Sequence, residues 1–149
     1  MSTKELILET ALRLFNDKGT SAVSTNHIAA ALGISPGNLY YHYRNKEEII
    51  RAIFERLYDV WDTTLTLSGD RPPTLDDLQR LVRDNFTIMW DYRFVYRELV
   101  ALLRHDVELR LRYELVRQRG FADFQQLFAE CGARSHRSAD GFDGQMFEL

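Results

Sequence analysis

Polar side chains that donate hydrogen bonds are concentrated between residues 24 and 46. The residues of this stretch that could do chemistry are Thr25, Asn26, Ser35, Asn38, Tyr40, Tyr41, His42 and Lys46. Hydroxyl, amide, imidazole and ammonium groups of this kind bind phosphate oxygens and position a protein on nucleic acid. Helices that only fill a core do not need such a set. The inventory therefore favours contact with a nucleic-acid backbone.

The apolar residues between these polar groups predict two short helices joined by a tight turn. Ser24 can cap the first helix, because its hydroxyl can accept from a free main-chain N–H. The apolar face of that helix consists of Ile28, Ala29 and Leu32. Gly33 is expected to end it, since glycine tolerates positive φ. Ser35 and Pro36 then read as a cap followed by a first-turn proline.

The second helix of this hairpin has an inner and an outer side. Leu39 and Tyr43 are four residues apart and are expected to face the interior. The remaining residues face outward or sideways, and they are Gly37, Asn38, Tyr40, Tyr41 and His42. Two helices at a fixed angle can read the DNA major groove, but the same hairpin also occurs as simple packing. A helical protein-interaction module that does not bind DNA is therefore the alternative.

The motif resembles the TetR-type family of transcriptional regulators. The matching stretch runs Leu39-Tyr40-Tyr41-His42-Tyr43-Arg44-Asn45-Lys46, and the spacings of Leu12, Phe15 and Gly19, and of Ile28, Gly33, Ile34 and Ser35, also fit. The resemblance covers about residues 4 to 60. It implies an all-α fold with a three-helix helix-turn-helix DNA-binding head, followed by a helical ligand-binding and dimerisation body. It also implies repression that ends when a small molecule binds the body.

The resemblance assigns roles within the head. Thr25 and Tyr40 match phosphate-anchoring positions, and His42 and Lys46 match further backbone contacts. The positions that match residues approaching base edges are Asn26, Ser35, Gly37 and Asn38. Asn26 stands where arginine is commoner, so a bidentate guanine contact is not expected from it. Pro36 fixes the start of the reading helix, and Tyr41 is either a DNA contact or a residue at the edge of the core.

Helical periodicity continues through the rest of the chain. Ser2 and Glu5 form a capping box that opens a first helix, and Asn45 and Glu48 form one that opens a longer helix. A loop is predicted over 68–74. Thr74 caps a further helix, whose apolar face is Leu75, Leu78, Val82, Phe86 and Met89. The expected organisation is a head over 1–62, a shortened effector-binding and dimerisation body over 63–132, and a disordered tail over 133–149.

Aromatic residues are frequent in the body. Most of them are expected to be ordinary core, because aromatic stripes at helical spacing are usually packed. Family members bind ligands among these helices, so a subset is a hypothesis for the site of a small hydrophobic or aromatic effector. The subset is Trp61, Phe86, Trp90 and Tyr113.

Composition excludes several other classes of protein. Four scattered histidines and one cysteine give no metal-ligand spacing, and no nucleophile or phosphate-cradling motif is present, so we expect no metal, no cofactor and no enzyme. The net charge of -3 argues against unselective nucleic-acid coating. No apolar stretch could span a membrane and no signal sequence is found, so a cytoplasmic protein is expected. The expected partners are double-stranded operator DNA, a small-molecule effector and, for the full-length family architecture rather than this short chain, a second copy.

Overall fold

In the computed structural model the described residues, 1–64 and 74–119, are helical between short turns. The helices are α1 (Thr3–Lys18), α2 (Thr25–Leu32), α3 (Pro36–His42), α4 (Lys46–Thr64), α5 (Leu75–Asp91) and α6 (Arg93–His105). Residues 107–119 are also helical. Residues 1–110 form one compact unit, and 111–149 belong to a second one. The all-α prediction is confirmed.

The predicted helix starts follow from local capping. Ser2, Ser24 and Thr74 each accept a hydrogen bond from the main-chain N–H three residues later, and each of these helices carries a complete capping box. At α4 the Asn45 amide oxygen accepts from Glu48 N at 2.8 Å, but the Glu48 carboxylate accepts from the main chain one residue earlier than expected. These bonds satisfy N–H groups that a helix leaves without an internal partner.

The head packs around α1 and α4. The inner face of α1 carries Ile7, Ala11, Leu14 and Phe15, all of which are buried. α4 contributes a broad buried stripe of Ile49, Ile50, Ile53, Phe54, Leu57 and Tyr58. A fully buried aromatic or branched side chain contributes about 2 kcal/mol by burial. The predicted boundary at residue 62 falls inside α4, so this one helix continues across the boundary.

A buried amide joins α1 to the turn between α5 and α6. Asn16 donates to the main-chain oxygen of Asp91 at 2.7 Å and accepts from Phe94 N at 3.0 Å. It therefore pairs a carbonyl at the end of α5 and an N–H at the start of α6, where Tyr92 gives no side-chain cap. Phe15 and Phe94 pack beside it with ring centroids 5.3 Å apart.

The predicted apolar face of α5 lies on the exposed side of the helix. Its members Leu75, Val82, Phe86 and Met89 are exposed. The buried side of this part of the chain instead carries Ile88 and Tyr92. Periodicity identifies an apolar face of a helix, but it does not say which neighbour covers that face. The predicted loop over 68–74 falls almost entirely outside the described residues, and so does the predicted tail over 133–149.

Candidate nucleic-acid interface

A tight turn fixes the angle between α2 and α3. Gly33 lies at φ 73°, in the left-handed region that favours glycine, and Ile34 N donates to Ala29 O at 3.0 Å. The Ser35 hydroxyl accepts from Asn38 N at 3.2 Å, and Pro36 occupies the first turn of α3. The predicted end of α2 at Gly33 and the predicted cap of α3 at Ser35 are both confirmed.

α3 is held from behind by two buried side chains. Leu39 is fully buried and Tyr43, which ends the helix, is 4% exposed. The opposite side of α3 is open, with Tyr40 and Tyr41 at 46% and 85% exposure. The predicted inner and outer sides of α3 are confirmed. The alternative that Tyr41 lies at the edge of the core is wrong, because most of its ring is in solvent.

The two predicted phosphate anchors meet on the surface. Thr25, at the start of α2, and Tyr40, in the middle of α3, share a hydrogen bond of 2.9 Å between their hydroxyl oxygens. Each hydroxyl still has capacity for another hydrogen bond, because a hydroxyl combines one donor with two acceptor lone pairs. The pair presents two polar groups from different helices at one place.

The residues assigned to base edges lie on the same open surface. Asn26, Ser35, Gly37 and Asn38 are all exposed. A Cβ added at Gly37 would find its nearest neighbour among the described residues, Ser35 Oγ, at 4.0 Å. Packing within the described part of the chain therefore does not require glycine here. A glycine on an exposed first turn suits the close approach of another molecule.

His42 and Lys46 flank this surface but differ in their environment. His42 is half-buried and packs edge-on against Tyr41, with ring centroids 5.1 Å apart. The Lys46 ammonium donates to the main-chain oxygens of Thr20 at 2.7 Å and Val23 at 3.2 Å. Two of the three N–H groups of an ammonium are thereby used inside the protein. Sequence spacing gave no sign of these contacts, which join residues more than 20 positions apart.

The charge of the head is weakly basic. Residues 2–46 contain five basic side chains, Lys4, Arg13, Lys18, Arg44 and Lys46, and three acidic ones, Glu5, Glu9 and Asp17. The Lys4 ammonium makes a cation–π contact, since its Nζ lies 5.5 Å from the centre of the Tyr43 ring. Attraction to phosphate must therefore come largely from oriented hydrogen-bond donors.

Burial raises the pKa of Tyr43 to about 12. Its hydroxyl is buried and finds no hydrogen-bond partner among the residues that the structure describes. This residue therefore stays neutral at physiological pH and acts as an apolar anchor for the end of α3.

The aromatic residues assigned to an effector lie in different surroundings. Phe86 and Trp90 are 67% and 69% exposed on α5, so neither lines an enclosed cavity in this structure. Arg93 lies over the Trp90 ring at 4.8 Å. Trp61 is half-buried on α4 and packs against Tyr58, with ring centroids 5.9 Å apart. Tyr113 belongs to the second unit, where it lies on a helix.

No helix within residues 1–64 and 74–119 is long and apolar enough to pass through a lipid bilayer. No group of three histidine, cysteine or carboxylate side chains within those ranges could hold a metal ion.

Together α1, α2 and α3 form a helix-turn-helix head with a polar, exposed second helix. Two family models match the chain: "Bacterial regulatory proteins, tetR family" over residues 7–53, and "Bacterial transcriptional repressor" over residues 59–138. The second model spans more than half of the chain. The chain belongs to the TetR family of bacterial regulatory proteins.

Individual relatives agree with this assignment. A crystal structure of a TetR-family transcriptional regulator from Marinobacter aquaeolei VT8 is 46% identical and has a TM-score of 0.81, covering 87% of this chain and 64% of that one. The probable regulator YttP of Bacillus subtilis is 29% identical, covering 73% of this chain and 52% of that protein. IcaR of Staphylococcus epidermidis, a negative transcriptional regulator of the biofilm operon icaADBC, is 31% identical, with 63% and 44% covered. The chain thus spans about half the length of these two curated relatives.

Proposed function

We propose that this chain contains the DNA-binding part of a sequence-specific transcriptional repressor. The observation that carries the proposal is the exposed hydroxyl pair of Thr25 on α2 and Tyr40 on α3, 2.9 Å apart, with the reverse side of α3 fixed by Leu39. Oriented donors on a rigid helix can hold phosphates in register without a strongly basic surface. Family membership and the naming of IcaR as a negative regulator support repression. Such a repressor works in the cytoplasm, where bacterial DNA lies.

In this proposal one set of residues contacts the phosphate backbone and a second set contacts the base edges. Thr25, Tyr40, Tyr41, His42 and Lys46 hold the phosphate backbone. The residues that approach base edges are Asn26, Ser35, Gly37 and Asn38, with Pro36 setting the start of the reading helix. Asparagine can pair with adenine through its amide, so Asn26 and Asn38 are the side chains best suited to direct reading. Gly37 contributes a backbone surface without a side chain in the way.

A small hydrophobic or aromatic molecule is proposed to release the repressor by binding the C-terminal helices. The exposed rings of Phe86 and Trp90 supply apolar area on α5. Trp61, in the same compact unit, and Tyr113, in the second unit, are separate candidates. A panel of aromatic compounds can be screened for their effect on DNA binding. Trp90→Ala should weaken the effect of an active compound, and an unchanged response would remove Trp90 from the site.

A homodimer is proposed for the full-length family architecture. One head reads too few base pairs for selective binding, whereas two heads related by a two-fold axis read two half-sites. Sedimentation of this chain alone and with a duplex gives its stoichiometry. Two chains on each duplex would agree with paired heads, and a single bound chain at saturation would show that this chain does not pair.

The test of the proposed function is a binding titration with DNA from upstream of the chain's own gene. Affinity should exceed that for unrelated DNA and should fall as salt rises, because phosphate contacts release counterions. Tyr40→Phe provides the site control. A folded chain that binds no duplex at low salt would refute the proposal and favour the protein-interaction alternative.

A further inference from the structure

The end of α1 is bonded to a carboxylate on α6. Glu98 Oε2 accepts from the Thr20 hydroxyl at 2.6 Å and from Thr20 N at 3.1 Å. Thr20 is 9% exposed, so this contact is largely shielded from water. Charge-assisted hydrogen bonds of this length are stronger than neutral ones. Glu98 thus fixes the residue that follows Gly19 in the turn after α1.

Gly19 makes this approach possible. It lies at φ 81° and ψ 158°, a backbone conformation that is essentially restricted to glycine. A Cβ at this position would lie 3.1 Å from Glu98 Oε1, closer than ordinary van der Waals contact. Gly19 of the sequence motif is therefore needed both for the turn and for the close approach of the Glu98 carboxylate.

The same turn holds the lysine at the beginning of α4. The Thr20 carbonyl accepts from Lys46 Nζ at 2.7 Å, and the Val23 carbonyl accepts from it at 3.2 Å. Thr20 therefore bonds Glu98 of α6 through its hydroxyl and N–H, and it bonds Lys46 at the start of α4 through its carbonyl. Lys46 follows the end of α3 by only four residues.

We propose that Glu98 is a positioning residue of the DNA interface, which acts through Thr20 to set the place of the Lys46 ammonium. The proposal rests on the proposed DNA-binding function. With two N–H groups held by carbonyls, the ammonium keeps one N–H for a phosphate and loses little side-chain freedom on binding. A displacement of α6 that moves Glu98 would release Thr20 and with it Lys46. The contact therefore links a carboxylate on α6 to a residue of the proposed DNA interface.

Simple electrostatics makes the opposite prediction, and this allows a sharp test. Glu98→Ala removes a negative charge and also the acceptor for Thr20. Glu98→Gln removes the same charge but keeps an oxygen that can accept from Thr20. Asp17→Asn also removes one negative charge, at an α1–α6 ion pair with Arg93 that does not involve Thr20. If only charge matters, all three variants should bind DNA more tightly.

The experiment measures binding of the full chain to a labelled duplex from upstream of its own gene across a range of salt concentrations. Glu98→Ala should bind about fivefold more weakly at low salt and lower the salt slope by about one, as the loss of one phosphate contact does. Glu98→Gln and Asp17→Asn should keep the slope of the wild type. Equal affinity and equal slope for the Ala and Gln variants would overturn the proposal.

A double-mutant cycle assigns the effect to Lys46. In a Lys46→Ala background, Glu98→Ala should change affinity little, because the group that it positions is gone. Equal effects of Glu98→Ala in both backgrounds would contradict a connection through Lys46. Thermal unfolding verifies that each variant is folded. If Glu98→Ala is not, Thr20→Val removes the hydroxyl that bonds Glu98 while keeping the branched shape, and should act in the same direction.

A second readout needs no DNA. The chain has three lysines, and Lys18 is exposed. Amine acylation followed by mass spectrometry gives the rate at Lys46 relative to Lys18 as an internal reference. Glu98→Ala should raise the relative rate at Lys46 several-fold, and an unchanged rate would overturn the proposal. If the wild type binds no duplex while this rate does rise, the proposed function fails and the positioning contact stands.

Discussion

Replacing Gly37 by alanine should affect the stability of the head and its DNA binding in opposite directions. The position is helical, lies in the first turn of α3 and is exposed, and a new Cβ would meet no described heavy atom closer than 4.0 Å. Alanine is favoured over glycine in helices, so Gly37→Ala should raise the free energy of unfolding by about 0.5 kcal/mol. The same methyl would project into the proposed interface. Overpacking of a closely fitted contact costs about 1–3 kcal/mol, which weakens DNA binding roughly 5- to 150-fold.

Gly33→Ala is the matched control for Gly37→Ala. A Cβ at Gly33 meets no described atom within 4 Å, but the residue lies at φ 73°. Alanine there should cost about 1–2 kcal/mol of stability through backbone strain. Urea denaturation gives the stabilities, and fluorescence anisotropy with a labelled duplex gives the affinities. A Gly37→Ala variant that is as stable as expected and binds DNA as tightly as the wild type would refute the close approach at α3.

Three further predictions concern other parts of the same head. Tyr40→Phe should weaken binding to all duplexes alike by roughly tenfold, whereas Asn38→Ala should change sequence preference. Affinities for a set of single-base operator variants distinguish these two effects. Reversed outcomes would refute the two roles. Tyr43→Phe should leave the free energy of unfolding unchanged or raise it by about 1 kcal/mol, because it removes a buried hydroxyl without a described partner. A clear decrease of this free energy in urea denaturation would show that the hydroxyl is bonded. Burial alone would raise the pKa of Glu98, but the hydroxyl and N–H of Thr20 and the Arg97 guanidinium hold it below its ordinary value. This stabilisation is present above the unfolded-state pKa and is lost as pH falls through the lowered folded-state pKa. The instability of Glu98→Gln relative to wild type should therefore shrink as the pH falls from neutral into the acid range where the Glu98 carboxylate is protonated. A difference that is constant with pH would contradict the bonded carboxylate.

The sequence predicted those features that local chemistry determines. Ser24, Gly33 and Ser35 act on main-chain groups within four residues of themselves, so the turn could be worked out from their order. The burial of Leu39 and Tyr43 followed from their helical spacing. The exposed polar side of α3 then followed from the same spacing, and with it the candidate interface.

Features that depend on distant neighbours could not be predicted in this way. The exposed face of α5 and its buried Ile88 are set by which helices pack beside it, and periodicity does not contain that information. The contacts of Asn16 with Asp91 and Phe94 join residues 75 and 78 positions apart. A polar residue on an apolar helix face, as Asn16 is on α1, is the one signal that could have pointed to such a buried bond.

Amide-resolved NMR during titration with the upstream duplex locates the DNA-bound surface residue by residue. Signals of residues 25–26 and 35–46 should shift or broaden first, with a saturating dependence on duplex concentration that weakens as salt is added. Shifts confined to α5 and α6, or none at all in a folded chain, would contradict the claim that α3 presents its polar side to DNA.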